Sequence, residues 1–241
     1  MPERDELFLK GLQVKWERIA PESYLRKIPA LSALEELDFR SPVTFFAGEN
    51  GSGKSTLLEA IAVAYGFNPE GGTMNYSFST YDSHSELCEA LRLVRSFSKA
   101  RWGYFLRAES FYNVASAEEA YTRIQGIPQH YHEKSHGESF LSVIQRNFKA
   151  NGLYILDEPE AALSPQMQLT LLLEISRCVK EGSQFIVVTH SPILLGLPGA
   201  EILSFDEGAV QPVSYEDTRS YQITKMFVND RDRILRRLFE E

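Results

Sequence analysis

The sequence predicts an α/β fold with a mostly parallel central sheet. Two continuous apolar runs, residues 153–156 and 185–188, are typical of strands that are buried on both faces. A helical pattern over residues 166–180 separates them, and a third apolar run at 42–47 leads into another helical pattern. Strands that alternate with helices in this way favour parallel pairing, with helices on both faces of the sheet.

Length and composition are those of an ordinary globular protein. The chain has 241 residues, of which 43% are hydrophobic and 24% charged, so we expect a single domain over residues 1–241. No stretch approaches the roughly 18 apolar residues of a membrane span, and the charged N-terminus is unlike a signal peptide. The cysteines, Cys88 and Cys178, lack a C-x-x-C context and indicate reduced thiols, so a cytoplasmic location is expected.

Hydrophobic periodicity predicts the elements of the N-terminal part of the chain. Residues 7–16 alternate as a half-buried strand does, and residues 17–40 are interpreted as a lead-in loop with a short helical turn. The helix after the run at 42–47 should end before Gly66, since glycine is a common C-terminal stop. Residues 67–82 are rich in turn formers and have room for one short strand.

The middle of the chain is predicted to be largely helical. The pattern favours a helix over residues 85–99, a strand over residues 102–107, and two more helices over 117–125 and 137–149. We therefore expect a short helical subdomain over about residues 83–150, attached to the sheet.

The C-terminal part is predicted to contain a hairpin followed by helices. Residues 201–214 read as two short strands joined by a turn, which would give the sheet an antiparallel edge. Two amphipathic helices are expected near residues 216–228 and 230–240, within a helical tail at 216–240.

A glycine-rich phosphate-binding pattern joins the strand at 42–47 to its helix. The segment from Gly48 to Ser55 fits G-x-x-x-x-G-K-[ST]. Glycines let backbone N–H groups approach phosphate oxygens, and the helix N-terminus adds the positive end of its dipole. Lys54 is predicted to reach the β- and γ-phosphates, and the Ser55 hydroxyl to bind Mg²⁺. The predicted nucleotide-binding residues are Gly48, Glu49, Asn50, Gly51, Ser52, Gly53, Lys54, Ser55 and Thr56.

Two acids follow the apolar run at 153–156. A carboxylate at the end of a buried strand needs a partner, because an unpaired buried charge is costly, and Mg²⁺ would be that partner for Asp157. Glu158 is then placed to orient or deprotonate an attacking water molecule. The alternatives are an acidic turn after an ordinary strand, or a phosphate-loop fold that does not hydrolyse nucleotide.

Two further polar segments lie at the ends of predicted elements. Residues 135–138, Ser-His-Gly-Glu, precede a predicted helix and begin 22 positions before Asp157. Ser135 and Glu138 form a capping box, which would by itself account for helix initiation. His190 directly follows the buried strand at 185–188.

Taken in this order, the phosphate loop, residues 135–138, Asp157 with Glu158, and His190 resemble the ABC-type ATPases. The resemblance is greatest to the heads of the structural-maintenance-of-chromosomes, recombination-repair and overcoming-lysogenization-defect groups. It implies an ABC-type P-loop NTPase fold, ATP and Mg²⁺ as ligands, and a homodimer that forms around ATP.

The resemblance also implies roles for individual residues. Ser135, His136, Gly137 and Glu138 would be the signature, which contacts the γ-phosphate bound to a second subunit. Glu158, His190 and Lys54 would be the catalytic residues, with His190 sensing the γ-phosphate. Residues 161–164 would form the D-loop at the dimer interface.

The chain differs from the usual family pattern at several positions. His136 stands where the signature commonly has Gly, and Ser164 stands in place of the D-loop Asp. No Gln occupies the expected Q-loop position, so Glu109 is the candidate for a further metal ligand beside Ser55 and Asp157; the alternative is a surface glutamate. Trp16 and Tyr24 are the candidates for stacking on adenine.

Two other clusters are weighed as binding sites. His130, His132 and His136 could hold zinc, but no cysteine is nearby and the signature already accounts for His136, so zinc is not favoured. A cationic run without an acid between residues 90 and 108 is the candidate nucleic-acid face, with a solvated helix face as its alternative, although the net charge of −8 argues mildly against nucleic acid. This basic run is Arg92, Arg95, Lys99, Arg101 and Arg107.

The expected function is ATP hydrolysis by a soluble, ATP-gated homodimeric clamp that acts in DNA repair or phage defence, with DNA or a protein as partner. Residues 110–134 are too few for the helical subdomain with which transporter ATPases engage membrane proteins, so a membrane partner is not expected. Two alternatives stay open. One is the ATP-binding subunit of a membrane transporter, and the other is a weakly hydrolysing switch that gates a toxin or nuclease.

Overall fold

A computed structural model describes residues 7–73, 85–107 and 136–239 of the chain, with the backbone alone for residues 136–140. The strands of these ranges are β1 (Leu9–Val14), β2 (Glu36–Asp38), β3 (Val43–Ala47), β4 (Gly72–Thr73), β5 (Leu91–Arg95), β6 (Trp102–Arg107), β7 (Gly152–Asp157), β8 (Gln184–Val188), β9 (Glu201–Ser204) and β10 (Gln211–Pro212). The α-helices are α1 (Pro29–Ser32), α2 (Lys54–Tyr65), α3 (Leu87–Ala90), α4 (His136–Asn147), α5 (Pro165–Lys180), α6 (Pro192–Leu195) and α7 (Arg219–Phe239). Short 3-10 turns lie at Trp16–Arg18, Tyr24–Lys27, Pro159–Ala162, Asp206–Gly208 and Tyr215–Asp217.

The main sheet has seven strands in the order β10-β9-β3-β8-β7-β6-β4. The five central strands pair in parallel, whereas β10 and β4 pair antiparallel at the two edges. The predicted α/β class, the mostly parallel sheet and the antiparallel edge formed by the hairpin at 201–214 are confirmed. The short strand expected within residues 67–82 is β4.

The two faces of the main sheet are covered by different elements. Phe46, Ile155 and Val188 face the cluster that contains α2 and the N-terminal strands. Phe45 and Tyr154 face the opposite cluster, together with residues of α4, α5 and α6. This division explains why the strands carry apolar side chains on both faces, because alternate side chains enter two separate cores.

A second, antiparallel sheet has the order β2-β1-β5. The predicted helix over residues 85–99 is wrong, because only α3 is helical there and the chain then continues as β5. Leu91 is buried and Leu93 pairs with Leu12 of β1, so the two-residue spacing of these leucines matches a strand packed on one side. Pairing with β1 therefore outweighed the helical pattern, and β2 was likewise missed within the predicted lead-in loop.

Gln184 connects the two sheets. Its side chain is 1% exposed, its Oε1 accepts a hydrogen bond from the Leu9 backbone N–H at 2.9 Å, and its Nε2 donates to the Leu9 carbonyl at 2.8 Å. The amide thus satisfies both backbone groups of a fully buried β1 residue, as buried polar groups require.

The helical tail consists of two helical segments, as predicted, which follow each other directly with a kink between them. α7 runs from Arg219 to Phe239, with a non-helical backbone at Asp230 (φ −129°, ψ 35°) that kinks it between the two predicted helices. The predicted end of α2 is confirmed, since Gly66 adopts the left-handed conformation (φ 116°) as its C-cap. The helix expected over residues 117–125 lies outside the described residues.

We predict that Gln184→Ala lowers the free energy of unfolding by about 3 kcal/mol, because two buried backbone groups lose their hydrogen bonds. Urea denaturation of the mutant and of the wild-type chain measures this difference. Gln166→Ala, at an exposed position of α5, is the matched control and should change stability little. Equal effects of the two substitutions would contradict the role assigned to Gln184.

Candidate functional site

The phosphate loop spans the end of β3 and the start of α2, as predicted. Gly51 and Gly53 have positive φ angles of 80° and 97°, a backbone conformation that favours glycine. A Cβ atom on Gly53 would lie 2.8 Å from the Leu31 side chain, so the packing of α1 beneath the loop also requires glycine there. The loop therefore has the backbone geometry that a phosphate-binding turn needs.

Lys54 is buried inside this loop, at 4% exposed. Its Nζ donates to the carbonyl oxygens of Gly48 at 2.8 Å and Glu49 at 2.7 Å. Burial lowers the pKa of Lys54, and the negative charges of nearby acids oppose that shift. The opposing acids are Glu158, Asp206, Asp157 and Glu160.

Ser55 and Asp157 meet at the start of α2. The Ser55 hydroxyl donates to Asp157 Oδ1 at 2.8 Å, although the two residues are 102 positions apart. Arg107, at the end of β6, lies 3.9 Å from Asp157 Oδ2 through its Nε and pairs with Glu59 at 2.7 Å. Two of the three predicted metal ligands are thus adjacent, and the charge of Asp157 is partly balanced by Arg107.

Glu158 and His190 follow neighbouring strands, β7 and β8. Glu158 Oε1 lies 3.6 Å from His190 Nε2, an atom without a hydrogen-bond partner among the described residues. Glu158 has a left-handed backbone (φ 48°, ψ 52°), which is uncommon for a non-glycine residue, and its N–H donates to the Val188 carbonyl at 3.0 Å. Backbone strain of this kind is often found at functional sites, where the surrounding structure holds it in place.

Glu160 was not predicted as a site residue. Its Oε1 accepts a hydrogen bond from the His190 backbone N–H at 2.5 Å. Its Oε2 is buried and unpartnered among the described residues. Glu160 therefore holds the loop that carries His190, and no local sequence pattern indicates this contact.

Asp206 and Arg219 were also missed. Asp206 Oδ1 accepts a hydrogen bond from the Glu49 backbone N–H at 3.0 Å, and the Arg219 guanidinium pairs with the Glu49 carboxylate. A cavity of about 190 Å³ lies between the phosphate loop and the first turn of α7, lined in part by Gly48, His190 and both missed residues. No local sequence pattern indicates either contact, because Glu49 lies 157 positions from Asp206 and 170 positions from Arg219.

The structure brings together Gly48 to Thr56, Asp157, Glu158 and His190. Glu109 and Ser135 lie outside the described residues. His136, Gly137 and Glu138 form the first turn of α4, for which the backbone alone is described. Their proposed contacts therefore stay predictions.

The candidate adenine-stacking residues differ in their surroundings. Trp16 donates through Nε1 to the Leu34 carbonyl at 2.8 Å, and the Arg26 guanidinium covers its ring. Tyr24 is 54% exposed and lines a cavity of about 350 Å³ beside Ser55 and Thr56. Tyr24 is thus the better placed of the two.

The basic run is not a single helix face. Arg92 and Arg95 lie on β5, and the Arg95 guanidinium covers the Tyr65 ring and donates to the Ala64 carbonyl. Arg107 lies on β6 and donates to Glu59. Arg92, Lys99 and Arg101 are exposed. Of the predicted histidine cluster, His130 and His132 lie outside the described residues, and within the described ranges no group of His, Cys, Asp and Glu could hold a metal ion through such ligands alone.

A family model described as an AAA domain matches residues 25–155, more than half of the chain. The chain belongs to this AAA domain family. The match includes the phosphate loop and the first four residues of β7, and it supports nucleotide binding by an ATPase domain. A search of curated proteins found none that matches.

Comparison with solved structures found ATP-binding cassettes of ABC transporters and SMC heads. The ADP conformation of an ATP-binding cassette of an ABC transporter is 15% identical, with 100% of both chains covered and a TM-score of 0.50. The SMC head domain from Thermotoga maritima is 17% identical, over 86% of this chain and 100% of that one, with a TM-score of 0.49. The predicted resemblance to ABC-type P-loop ATPases is confirmed, and the likeness to the cassette shows a shared fold. No helix in the described part of this chain is long and apolar enough to cross a membrane.

We predict that Lys54→Ala weakens ATP binding by the AAA domain chain at least tenfold, about 1.4 kcal/mol. The reason is that Lys54 is the buried cation of the loop, and phosphate oxygens would take over the hydrogen bonds it now makes to two carbonyls. Titration with a fluorescent ATP analogue measures the affinity. Lys180→Ala, at the exposed end of α5, is the control. Wild-type affinity in the Lys54 variant would exclude this site.

Proposed function

We propose that this chain binds ATP with Mg²⁺, hydrolyses it to ADP and phosphate, and works as a homodimer that closes around ATP. The observation that carries the proposal is the convergence of five side chains at one edge of the sheet. These are Lys54, Ser55, Asp157, Glu158 and His190, which follow the parallel strands β3, β7 and β8. Ligands of open α/β sheets bind at this carboxyl edge.

The residues present suit a magnesium ion. Ser55 Oγ and Asp157 Oδ1 are oxygen ligands of the kind that Mg²⁺ prefers, and they already lie 2.8 Å apart. When bound there, the ion would neutralise charge that develops on the β- and γ-phosphate oxygens. Glu109 is proposed as a further ligand on the resemblance alone.

Lys54 and the phosphate loop would hold the triphosphate. The loop N–H groups and the N-terminus of α2 would donate to phosphate oxygens, and Lys54 would leave the carbonyls of Gly48 and Glu49 for the β- and γ-phosphates. Asp206 keeps the loop in place through the Glu49 N–H. The triphosphate would then lie between the loop and the acids after β7.

Glu158 is the proposed general base. Its side chain is 44% exposed, so water can reach it, and it would accept a proton as the water oxygen attacks the γ-phosphorus. The bond from that phosphorus to the β-phosphate oxygen breaks, and ADP leaves. His190 Nε2, close to Glu158 Oε1, would donate to the γ-phosphate oxygens in the transition state.

A second copy would complete the site. By the resemblance, Ser135, His136, Gly137 and Glu138 would contact the γ-phosphate bound to the other subunit, and residues 161–164 would meet across the interface. Hydrolysis would remove the shared phosphate and open the dimer.

The process that this cycle drives is proposed to be DNA repair or phage defence, with DNA or a protein as partner. Exposed Arg92, Lys99 and Arg101 are the cations that DNA could meet. The alternatives are a transporter subunit and a weakly hydrolysing switch that gates a toxin or nuclease. The presence of Glu158 beside His190 favours hydrolysis over the switch.

We predict that Glu158→Gln abolishes phosphate release, by at least a hundredfold, while ATP binding is kept, because the amide cannot accept the proton. The variant should accumulate as a dimer with ATP and Mg²⁺, and wild type only transiently. Light scattering and a phosphate-release assay measure both. Glu216→Gln, an exposed acid outside the site, is the control. A variant that still hydrolyses ATP would remove Glu158 as the base, and a monomer under all conditions would remove the clamp.

We predict that Glu160→Ala lowers kcat about tenfold or more with little change in KM, because the His190 backbone N–H loses its partner and the histidine loses its position. Glu160→Gln keeps an acceptor oxygen and should retain most of the activity. Steady-state kinetics separates kcat from KM. Equal loss in both variants would show that the negative charge of Glu160, rather than this hydrogen bond, matters.

A further inference from the structure

The C-terminal helix α7 has 21 residues and none of them is buried. Several large apolar side chains on it are exposed, among them Ile223 at 60%, Phe227 at 41% and Leu238 at 69%. Helices of globular proteins gain most of their stability from packing an apolar face. A helix with so little burial and so many exposed apolar side chains indicates a surface that something else covers.

Two pairs of apolar residues, one on each side of the kink at Asp230, are together named the apolar stripe: Ile223 with Phe227, and the half-buried Ile234 with Leu238. The spacing of four residues within each pair places its two members on the same side of their helical segment. Val228, 71% exposed, lies on another side, where it lines a cavity with Pro192 and Tyr221. The stripe is thus separate from the side of α7 that faces α6.

The apolar stripe begins at the nucleotide site. Arg219, the first residue of α7, pairs with Glu49 of the phosphate loop. Ile223, one turn later, lines the cavity that also contains Gly48 and His190. The stripe therefore extends outward from the edge of the molecule at which ATP would join two subunits.

The charge of α7 indicates what could cover the stripe. Residues 219–239 contain six Lys and Arg against two Asp, a net charge of +4. Since the whole chain carries −8, the remaining residues carry −12. The net charge of the rest of the chain is therefore opposite to that of α7. Opposite charges favour association, here of α7 with the rest of a second copy of the chain.

We propose that the apolar stripe is a contact surface for a second copy of this chain and is buried when ATP closes the homodimer. This inference rests on the proposed function, because it places α7 at the edge of the same closed state. Specific interfaces bury about 1,600 Å² in total, and four side chains per subunit supply only a part of that area. The stripe alone would then not hold a dimer, and its contact depends on ATP.

The test compares dimer affinities in the Glu158→Gln background with ATP and Mg²⁺, measured by sedimentation velocity over a range of protein concentrations. Phe227→Asp combined with Leu238→Asp should weaken the dimer at least tenfold, because two apolar contacts per subunit are lost. Val228→Asp introduces the same charge on another side of the helix and should leave the affinity unchanged. The ATP affinity should be unchanged in all variants, because Phe227 and Leu238 do not line the cavity beside the phosphate loop.

The outcomes separate this inference from the proposed function. If the Glu158→Gln chain forms a dimer and the stripe substitutions do not weaken it, the stripe is not a contact surface, and the clamp stands. If Val228→Asp weakens the dimer as much as the stripe substitutions do, the stripe is likewise not the contact surface. A Glu158→Gln chain that stays monomeric overturns both. A last experiment measures binding of the chain to vesicles of phosphatidylglycerol and phosphatidylcholine. If the chain binds these vesicles, and the stripe substitutions abolish that binding but leave the dimer affinity unchanged, the stripe contacts a lipid surface instead.

Discussion

Parallel pairing of β3, β8 and β7 is the constraint on which the site depends. The register places Phe46 beside Val188 and Val188 beside Asp157, so the three strands end at the same level. A different functional segment lies at the end of each strand: the phosphate loop at β3, the acid pair at β7 and the histidine at β8. Because side chains alternate along a strand, a shift of one residue would turn Asp157 away from Ser55. The pairing of these strands thus positions the side chains of the site without a ligand.

The electrostatics of the site follow from that convergence. One buried lysine lies among four carboxylates, and the arginine at the end of β6 lies beside one of these, Asp157, and pairs with Glu59. Burial alone would favour neutral Lys54, while the surrounding acids favour its charge, and a triphosphate would add further negative charge beside it. An added cation would reduce the repulsion among these acids.

Contacts from the C-terminal part of the chain complete the phosphate loop. Glu49 is held at its N–H by Asp206, at its carbonyl by Lys54 and at its carboxylate by Arg219. The pair with Arg219 is exposed and adds little stability, but it connects the loop to α7. A change in the loop on nucleotide binding would therefore be transmitted to the helix that carries the exposed apolar side chains.

The amino-acid sequence by itself determined the parallel α/β fold, the phosphate loop, the acid pair and His190, because each depends on a contiguous pattern. Only the tertiary structure decided that residues 91–95 form a strand, since the partner strand β1 lies some 80 positions earlier. It also decided the roles of Glu160, Asp206 and Arg219, whose partners are 30, 157 and 170 positions away. Such contacts depend on where the completed sheet places the chain, and no local periodicity contains that information.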